Sequence, residues 1–272
     1  MKPKPFLKSK PPIIFAHRGA HARFPENTIP AFEEALRVGT NYIETDTQLT
    51  RDGVPILHHD DNVVNLTGED RFIRDLTLKE LKKLDAGYTF SPDGGKSFPH
   101  RGKGIHIPSL EEVLRKFDLA RFNIDIKDGT AESAKVVLYI VKRHKAGDRV
   151  LLASFAHPAL AYIRKEAPEI ATSACRKEVV RFLIDSLIRG KRVKAVPYDA
   201  LQVPEKQHGI KVVNRRLLKG AKALGLQVHV WTINDEETMK RLLKLGVDGI
   251  ITDRPDIALQ VARSFKNTRQ IF

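Results

Sequence analysis

Cysteine, long apolar runs and acidic charge are scarce in this chain, and each scarcity excludes something. Cys175 is the only cysteine among 272 residues, which rules out an internal disulfide framework and a thiolate metal site and fits a reducing compartment. No apolar run approaches the roughly 18 residues of a membrane span; residues 136–141 are among the longest. The apolar segment after the N-terminal lysines is also too short for the core of a signal peptide. A cytoplasmic protein, soluble or touching a membrane only peripherally, is therefore expected. Asp and Glu number 33 against 47 Lys and Arg, a net charge of +14, so an anionic partner is expected: a substrate, a lipid headgroup or nucleic acid. The chain has no internal repeat, and Gly19-Ala20-His21-Ala22-Arg23-Phe24 lacks the G-x-G-x-x-G spacing that a doubly wound nucleotide-binding sheet would carry.

Short β-rich runs alternate with helical patterns along the whole chain. The strand candidates are 13–17, 42–48, 121–127, 150–155, 170–174, 199–203, 227–232 and 249–253. Helical periodicity marks 29–38, 109–117, 131–145, 158–166, 177–189, 214–224, 235–245 and 256–265. Ser109 with Glu112 spells a capping box, Pro30 suits a first turn, and Gly39, Gly190, Gly225 and Gly246 follow helix ends. Eight strand–helix pairs predict a TIM (β/α)8 barrel. Residues 1–12, with Lys2, Lys4, Lys8 and Lys10 broken by prolines, read as a disordered basic arm, and 13–272 as a single domain. The alternation is interrupted at about 61–106, a glycine-rich stretch long enough to be a functional insertion after the second strand.

The chemistry-bearing residues fall at strand ends. His17-Arg18-Gly19 closes the apolar run Ile13-Ile14-Phe15-Ala16, putting a proton-transfer group and a fixed cation at the mouth of a sheet, an arrangement suited to a phosphate ester. In the second strand Glu44 and Asp46 share a face, and in the third Asn123, Asp125 and Lys127 do the same. Glu44 and Asp46 alone would equally suit an exposed strand edge with surface ion pairs. The matching row with Asp125 turns the balance toward a hard cation held by three carboxylates, Mg²⁺ or Ca²⁺. His58-His59-Asp60 supplies a second imidazole, and phosphodiester cleavage near neutral pH needs one group to take a proton and another to give one. Arg18 and Lys127 would offset phosphate charge.

These residues together resemble the glycerophosphodiester phosphodiesterase family. The resemblance runs through Ala16-His17-Arg18-Gly19, Pro25-Glu26-Asn27-Thr28, Glu44-Thr45-Asp46, His59-Asp60 and Asn123-Ile124-Asp125-Ile126-Lys127. It continues through Ser154-Phe155, Val230-Trp231-Thr232-Ile233-Asn234 and the run from Gly246 to Asp253, covering roughly residues 13–256. It implies a TIM barrel with the family's insertion, one divalent ion on Glu44, Asp46 and Asp125, and His17 and His59 as the acid–base pair. Register with the family favours His59 over its neighbour His58. The resemblance further implies Arg18 and Lys127 on the phosphate, Glu26 and Asn27 beside the metal, and Phe155 and Trp231 walling a glycerol or acyl pocket.

The implied reaction is hydrolysis of a glycerophosphodiester to sn-glycerol 3-phosphate and an alcohol through a cyclic phosphate. Lysophospholipase D action on a lysophospholipid at the same site is the alternative, and a non-catalytic protein binding nucleic acid through its basic charge is the third, disfavoured reading. The stretch 176–194 carries Arg176, Lys177, Arg181, Arg189, Lys191, Arg192 and Lys194 among apolar residues, a pattern that suits either a barrel-covering helix or contact with an anionic membrane surface.

Overall fold

The computed structural model describes residues 3–187 and 195–269. Its strands are β1 (Ile13–His17), β2 (Tyr42–Leu49), β3 (Pro55–Leu57), β4 (Arg121–Ile126), β5 (Val150–Ala153), β6 (Ala171–Thr172), β7 (Ala200–Pro204), β8 (Lys206–Gln207), β9 (Ile210–Lys211), β10 (Gln227–Trp231) and β11 (Gly249–Thr252). Eight of them run parallel in the order β6-β5-β4-β2-β1-β11-β10-β7, and a parallel bridge between Ser173 and Ala200 joins the two ends. Strand β3 pairs antiparallel with β2, and β8 with β9 forms a separate hairpin. The result is a nearly closed (β/α)8 barrel with additions, as the alternation predicts.

The helices are α1 (Ile29–Val38), α2 (Val64–Thr67), α3 (Leu78–Leu81), α4 (Leu110–Lys116), α5 (Ala131–Arg143), α6 (His157–Glu166), α7 (Arg176–Leu187), α8 (Arg215–Ala223), α9 (Glu236–Leu245) and α10 (Pro255–Arg269). Their ends follow local chemistry. Ser109 Oγ accepts from the Glu112 N–H at 3.2 Å while the Glu112 carboxylate accepts from the Ser109 N–H at 2.7 Å, so two orphan donors at the start of α4 are satisfied reciprocally. Gly39 ends α1 at φ 104°, a conformation that disfavours any side chain. Of the basic stretch 176–194, residues 188–194, which include Arg189, Gly190, Lys191, Arg192 and Lys194, lie outside the described residues. No helix among the described residues is long and apolar enough to cross a membrane.

Strand alternation sorts the core into two layers. Ile43, Phe122, Ile124 and Leu152 face outward and pack on Phe32, Leu114, Val137 and Leu160 of the surrounding helices. Phe15, Tyr42, Leu151, Ala171 and Ile251 come from strands all round the ring and form one cluster, which must therefore fill the barrel's interior. Tyr42, Glu44 and Asp46 share that inward face. Apolar packing below thus gives way to carboxylates above, at the C-terminal ends of the strands.

The expected disordered arm is corrected by this packing. Pro5–Leu7 form a 3₁₀ turn that plugs the barrel floor, with Phe6 fully buried against Phe15 and Tyr42. The Tyr42 hydroxyl donates to the Phe6 carbonyl at 3.0 Å, Arg121 donates to the Pro5 carbonyl at 3.0 Å, and Lys4 pairs with Asp199 at 3.0 Å. Lysine count misleads here, because two apolar residues placed between the lysines outweigh the solvation of their neighbours. The 61–106 insertion folds around a small core of its own, in which Val63, Leu66, Ile73, Leu81 and Ile105 pack beside Ile56 of β3.

Candidate active site

His17 ends β1, and the chain then turns sharply. Arg18 takes φ 52° and Gly19 φ 86°, and a Cβ on Gly19 would stand 2.7 Å from the Ala31 carbonyl carbon. The turn is thus closed to any residue but glycine. It aims the Arg18 N–H at Glu44 Oε2, 3.2 Å away, and sends the Arg18 side chain to Glu26 Oε2 at 2.8 Å. Asn27, fully buried and also at positive φ, braces β2: its amide donates to Asp46 Oδ2 at 3.1 Å and its carbonyl oxygen accepts from Thr45 Oγ1 at 2.7 Å.

Three carboxylates lie on the inward face of β2 and β4, with Asp46 directly across the ladder from Asp125. Lys127, just past β4, reaches both, its Nζ 2.8 Å from Asp46 Oδ1 and 2.8 Å from Asp125 Oδ2. Burial and the neighbouring Asp46 charge push Glu44 up to about 7. Asp125 is also raised by burial, against the pull of Lys127. Burial acts the same way on Asp46, but Lys127 and Arg18 outweigh it and hold that carboxylate below its ordinary range.

The two expected imidazoles are each held through Nδ1 by a carboxylate. His17 Nδ1 lies 2.6 Å from Asp253 Oδ1, and Asp253 Oδ2 accepts from Asn234 Nδ2 at 2.6 Å. His59 Nδ1 lies 2.6 Å from Asp60 Oδ1, and the other Asp60 oxygen accepts from Asn65. Gln48 of β2 fixes this segment by donating to the His59 carbonyl at 3.0 Å and the Asp60 carbonyl at 2.5 Å. His58 is buried, with Nδ1 on the Asp60 carbonyl at 2.8 Å, whereas a third of the His59 side chain is open to solvent. Phe155 and Trp231 meet edge to face at 6.2 Å, and Lys127 Nζ stands 5.8 Å from the Phe155 ring.

The fold therefore gathers His17, Arg18, Glu26, Asn27, Glu44, Asp46, His59, Asp125, Lys127, Phe155 and Trp231 at the C-terminal mouth of the barrel. Asp253, Asn234 and Gln48 are polar partners whose roles the sequence reading did not assign. Asp253 directly follows β11, and a carboxylate at the C-terminal end of a barrel strand is itself a signal that could have found it. Among the described residues no three His, Cys, Asp or Glu side chains stand as a ready-made metal cage. The donor chemistry nonetheless fits a hard divalent cation, because Glu44, Asp46 and Asp125 offer only oxygens and Asp125 Oδ1 is buried with no hydrogen-bond partner.

The family model for the glycerophosphoryl diester phosphodiesterase family matches residues 17–257. A glycerophosphodiester phosphodiesterase of Caldanaerobacter subterraneus subsp. tengcongensis is 34% identical over 92% of this chain and 98% of its own length. Among solved structures, an Oleispira antarctica phosphodiesterase in complex with the product sn-glycerol-3-phosphate is 26% identical, with a TM-score of 0.74 over 92% of this chain and 96% of that one. A glycerophosphodiester phosphodiesterase from Agrobacterium tumefaciens is 25% identical, with a TM-score of 0.69 over 90% and 98% of the two chains. The chain is thus an enzyme that belongs to the glycerophosphoryl diester phosphodiesterase family.

Proposed function

We propose that the enzyme hydrolyses glycerophosphodiesters to sn-glycerol 3-phosphate and an alcohol, with His17 and His59 sharing the proton transfers. The observation that carries this reading is the pair of imidazoles, each oriented through Nδ1 by a carboxylate, at the rim of a buried carboxylate cluster. An Nδ1–H held in this way leaves Nε2 as the working nitrogen. The relative bound to sn-glycerol-3-phosphate supports the choice of substrate.

The substrate hydroxyl next to the phosphate loses its proton to one imidazole as its oxygen attacks phosphorus. The bond to the departing alcohol breaks, and the second imidazole protonates that alkoxide. Water then opens the cyclic phosphate with the two imidazoles in exchanged roles, which restores both. Arg18 and Lys127 stand against the charge that grows on the phosphoryl oxygens. Glu44, Asp46 and Asp125 would hold one Mg²⁺ or Ca²⁺, which when bound draws electron density from the phosphoryl group.

The test is hydrolysis of glycerophosphocholine, followed by release of sn-glycerol 3-phosphate, with wild type, His17→Ala, His59→Ala and EDTA-treated enzyme. Loss in all three supports the reading, and full activity in all three overturns it. A diester whose glycerol is replaced by 1-propanol has no hydroxyl that can attack phosphorus and should be inert if the cyclic route operates.

A second reading, lysophospholipid hydrolysis at the same site, is favoured by Phe155, which is 57% exposed beside Trp231 and offers an apolar wall at the mouth. Lysophosphatidylcholine assayed in parallel, with Mg²⁺ and Ca²⁺, decides between the two. The exposed Val180, Arg181 and Ile184 of α7 would suit contact with an anionic membrane surface, which co-sedimentation with anionic vesicles tests.

A further inference from the structure

A cleft of about 560 Å³ opens beside Arg18, between the turn that follows β1 and the insertion. Arg18 and Glu26 stand on one side, and Asp60, Asn65, Phe90 and Ser91 belong to the other. Phe155 and Trp231 take no part in its wall. Building on the phosphodiesterase reading above, we propose that this cleft receives the departing alcohol and prefers a cationic amino-alcohol to a neutral polyol.

Position is the first argument. The cleft begins at Arg18, the cation set against the phosphate, and passes Asp60, the partner of His59. A group bound there lies between phosphate and imidazole, where the leaving oxygen must be protonated. The aromatic pair elsewhere on the mouth is left for the glycerol half.

Charge is the second argument. The chain as a whole carries 47 Lys and Arg against 33 Asp and Glu, yet the cleft wall contains one arginine, no lysine and two carboxylates, with His21 the remaining titratable group. Arg18 lies 2.8 Å from Glu26 and 3.4 Å from Asp46, and its ion pair with Glu26 leaves Asp60 as the carboxylate that sets the sign of the wall. A wall with one negative charge in excess, on a protein of positive overall charge, favours a cation, and the Phe90 ring adds the aromatic face that ammonium groups seek.

The wall is also preformed. Asn65 donates to Asp60, Thr89 Oγ1 donates to the Asn65 carbonyl, and the Phe90 ring packs on His100 at 5.1 Å. His100 bridges the two sides, its Nε2 3.0 Å from the Arg23 carbonyl and its ring stacked on Phe24 at 4.8 Å. Little ordering cost is left for a ligand to meet.

The experiment measures kcat and KM for glycerophosphocholine and for bis(glycerol) phosphate with wild type, Phe90→Ala and Pro92→Lys. Wild type should show the lower KM for the choline ester. Phe90→Ala should raise that KM about tenfold while leaving the glycerol ester within about twofold. Pro92→Lys, which adds a positive charge at an exposed position on the rim, should raise the choline KM in the same selective way and lose its effect at high salt. Should Phe90→Ala melt early, Pro92→Lys decides alone. Equal KM values for the two esters, or equal responses to the variants, overturn the cleft assignment and leave the phosphodiesterase reading standing. No turnover of either ester overturns that reading, and this assignment with it.

Discussion

His17 Nδ1 lies 2.6 Å from Asp253 Oδ1. Burial draws the imidazole's pKa down, but the Asp253 hydrogen bond and the Glu44 charge outweigh it and leave the group raised. The carboxylate therefore selects the tautomer of His17 and holds the ring in place, as Asp60 does for His59.

Asp253→Asn keeps the size of the side chain and removes the charge that selects the tautomer. We expect kcat to fall by about 100-fold or more with KM nearly unchanged, because the residue's carboxylate is engaged by His17 and Asn234 and acts through the imidazole. A proportional loss in KM, or a collapsed melting curve, would assign Asp253 a merely structural role.

Lys127 pairs with two buried carboxylates at 2.8 Å each. Lys127→Met should lower the stability of metal-free protein by about 3–5 kcal/mol, the range for breaking a buried ion pair. Urea denaturation in EDTA checks this. If the three carboxylates hold a divalent ion, millimolar Mg²⁺ or Ca²⁺ should recover much of that loss, and should raise the Tm of wild type as well. A Tm indifferent to both ions would count against the metal assignment.

Gly19→Ala forces a side chain into a left-handed turn and against the Ala31 backbone, 2.7 Å away. A destabilisation of about 2–4 kcal/mol is expected, with loss of activity, since the Arg18 N–H and side chain would be re-aimed. Guanidinium unfolding together with the diester assay measures both effects.

Phe6→Ala tests the plug at the barrel floor. A fully buried phenylalanine packed against Phe15 and Tyr42 should cost about 3–5 kcal/mol when truncated. A change below about 0.5 kcal/mol would restore the picture of a dispensable arm.

Arg164 grips Glu178 with two bonds, at 2.6 and 3.0 Å, and the Cys175 N–H donates to the same carboxylate at 2.8 Å. Burial would raise the Glu178 pKa, but these partners prevail and hold it below the ordinary 4.5. A carboxyl depressed in the folded state stabilises the fold above its unfolded pKa, and that contribution disappears as pH falls from about 4.5 through the lower folded value. Glu178→Gln should therefore lower stability at pH 7 and make the loss of stability below pH 4.5 shallower than in wild type, as equilibrium unfolding across pH would show.

Much of this architecture is legible in one dimension because strand and helix periods are local properties. The alternation of Glu44 and Asp46 with Ile43, Thr45 and Thr47 follows from the pleat alone, and the expected helix 29–38 coincides with α1. The barrel's strand count, the insertion and the clustering of acids at strand ends follow from the same patterns. His17, Glu44, Asp46 and Asp125 could be nominated because each stands on, or at the end of, a strand whose inward face is readable.

Other features needed distant segments to meet. Asp253 reaches His17 across 236 positions of chain, and no spacing rule connects them. Phe6 could be recognised as core only once strands from all round the ring left a hole at the barrel floor that its ring fills. Family register favours His59, and the fold adds that His58 is the imidazole it buries, while the cleft beside Arg18 lies between the turn after β1 and an insertion that His100 ties to that turn. The sequence by itself determined the eight barrel strands, their faces and the chemistry at their ends, because those depend on neighbours a few residues apart, but not β3 or the β8–β9 hairpin, which lie outside the alternation. Tertiary structure decided which carboxylate orients which histidine, which apolar residues close the barrel and what the mouth can hold, because those depend on long-range contacts that form only when the barrel closes.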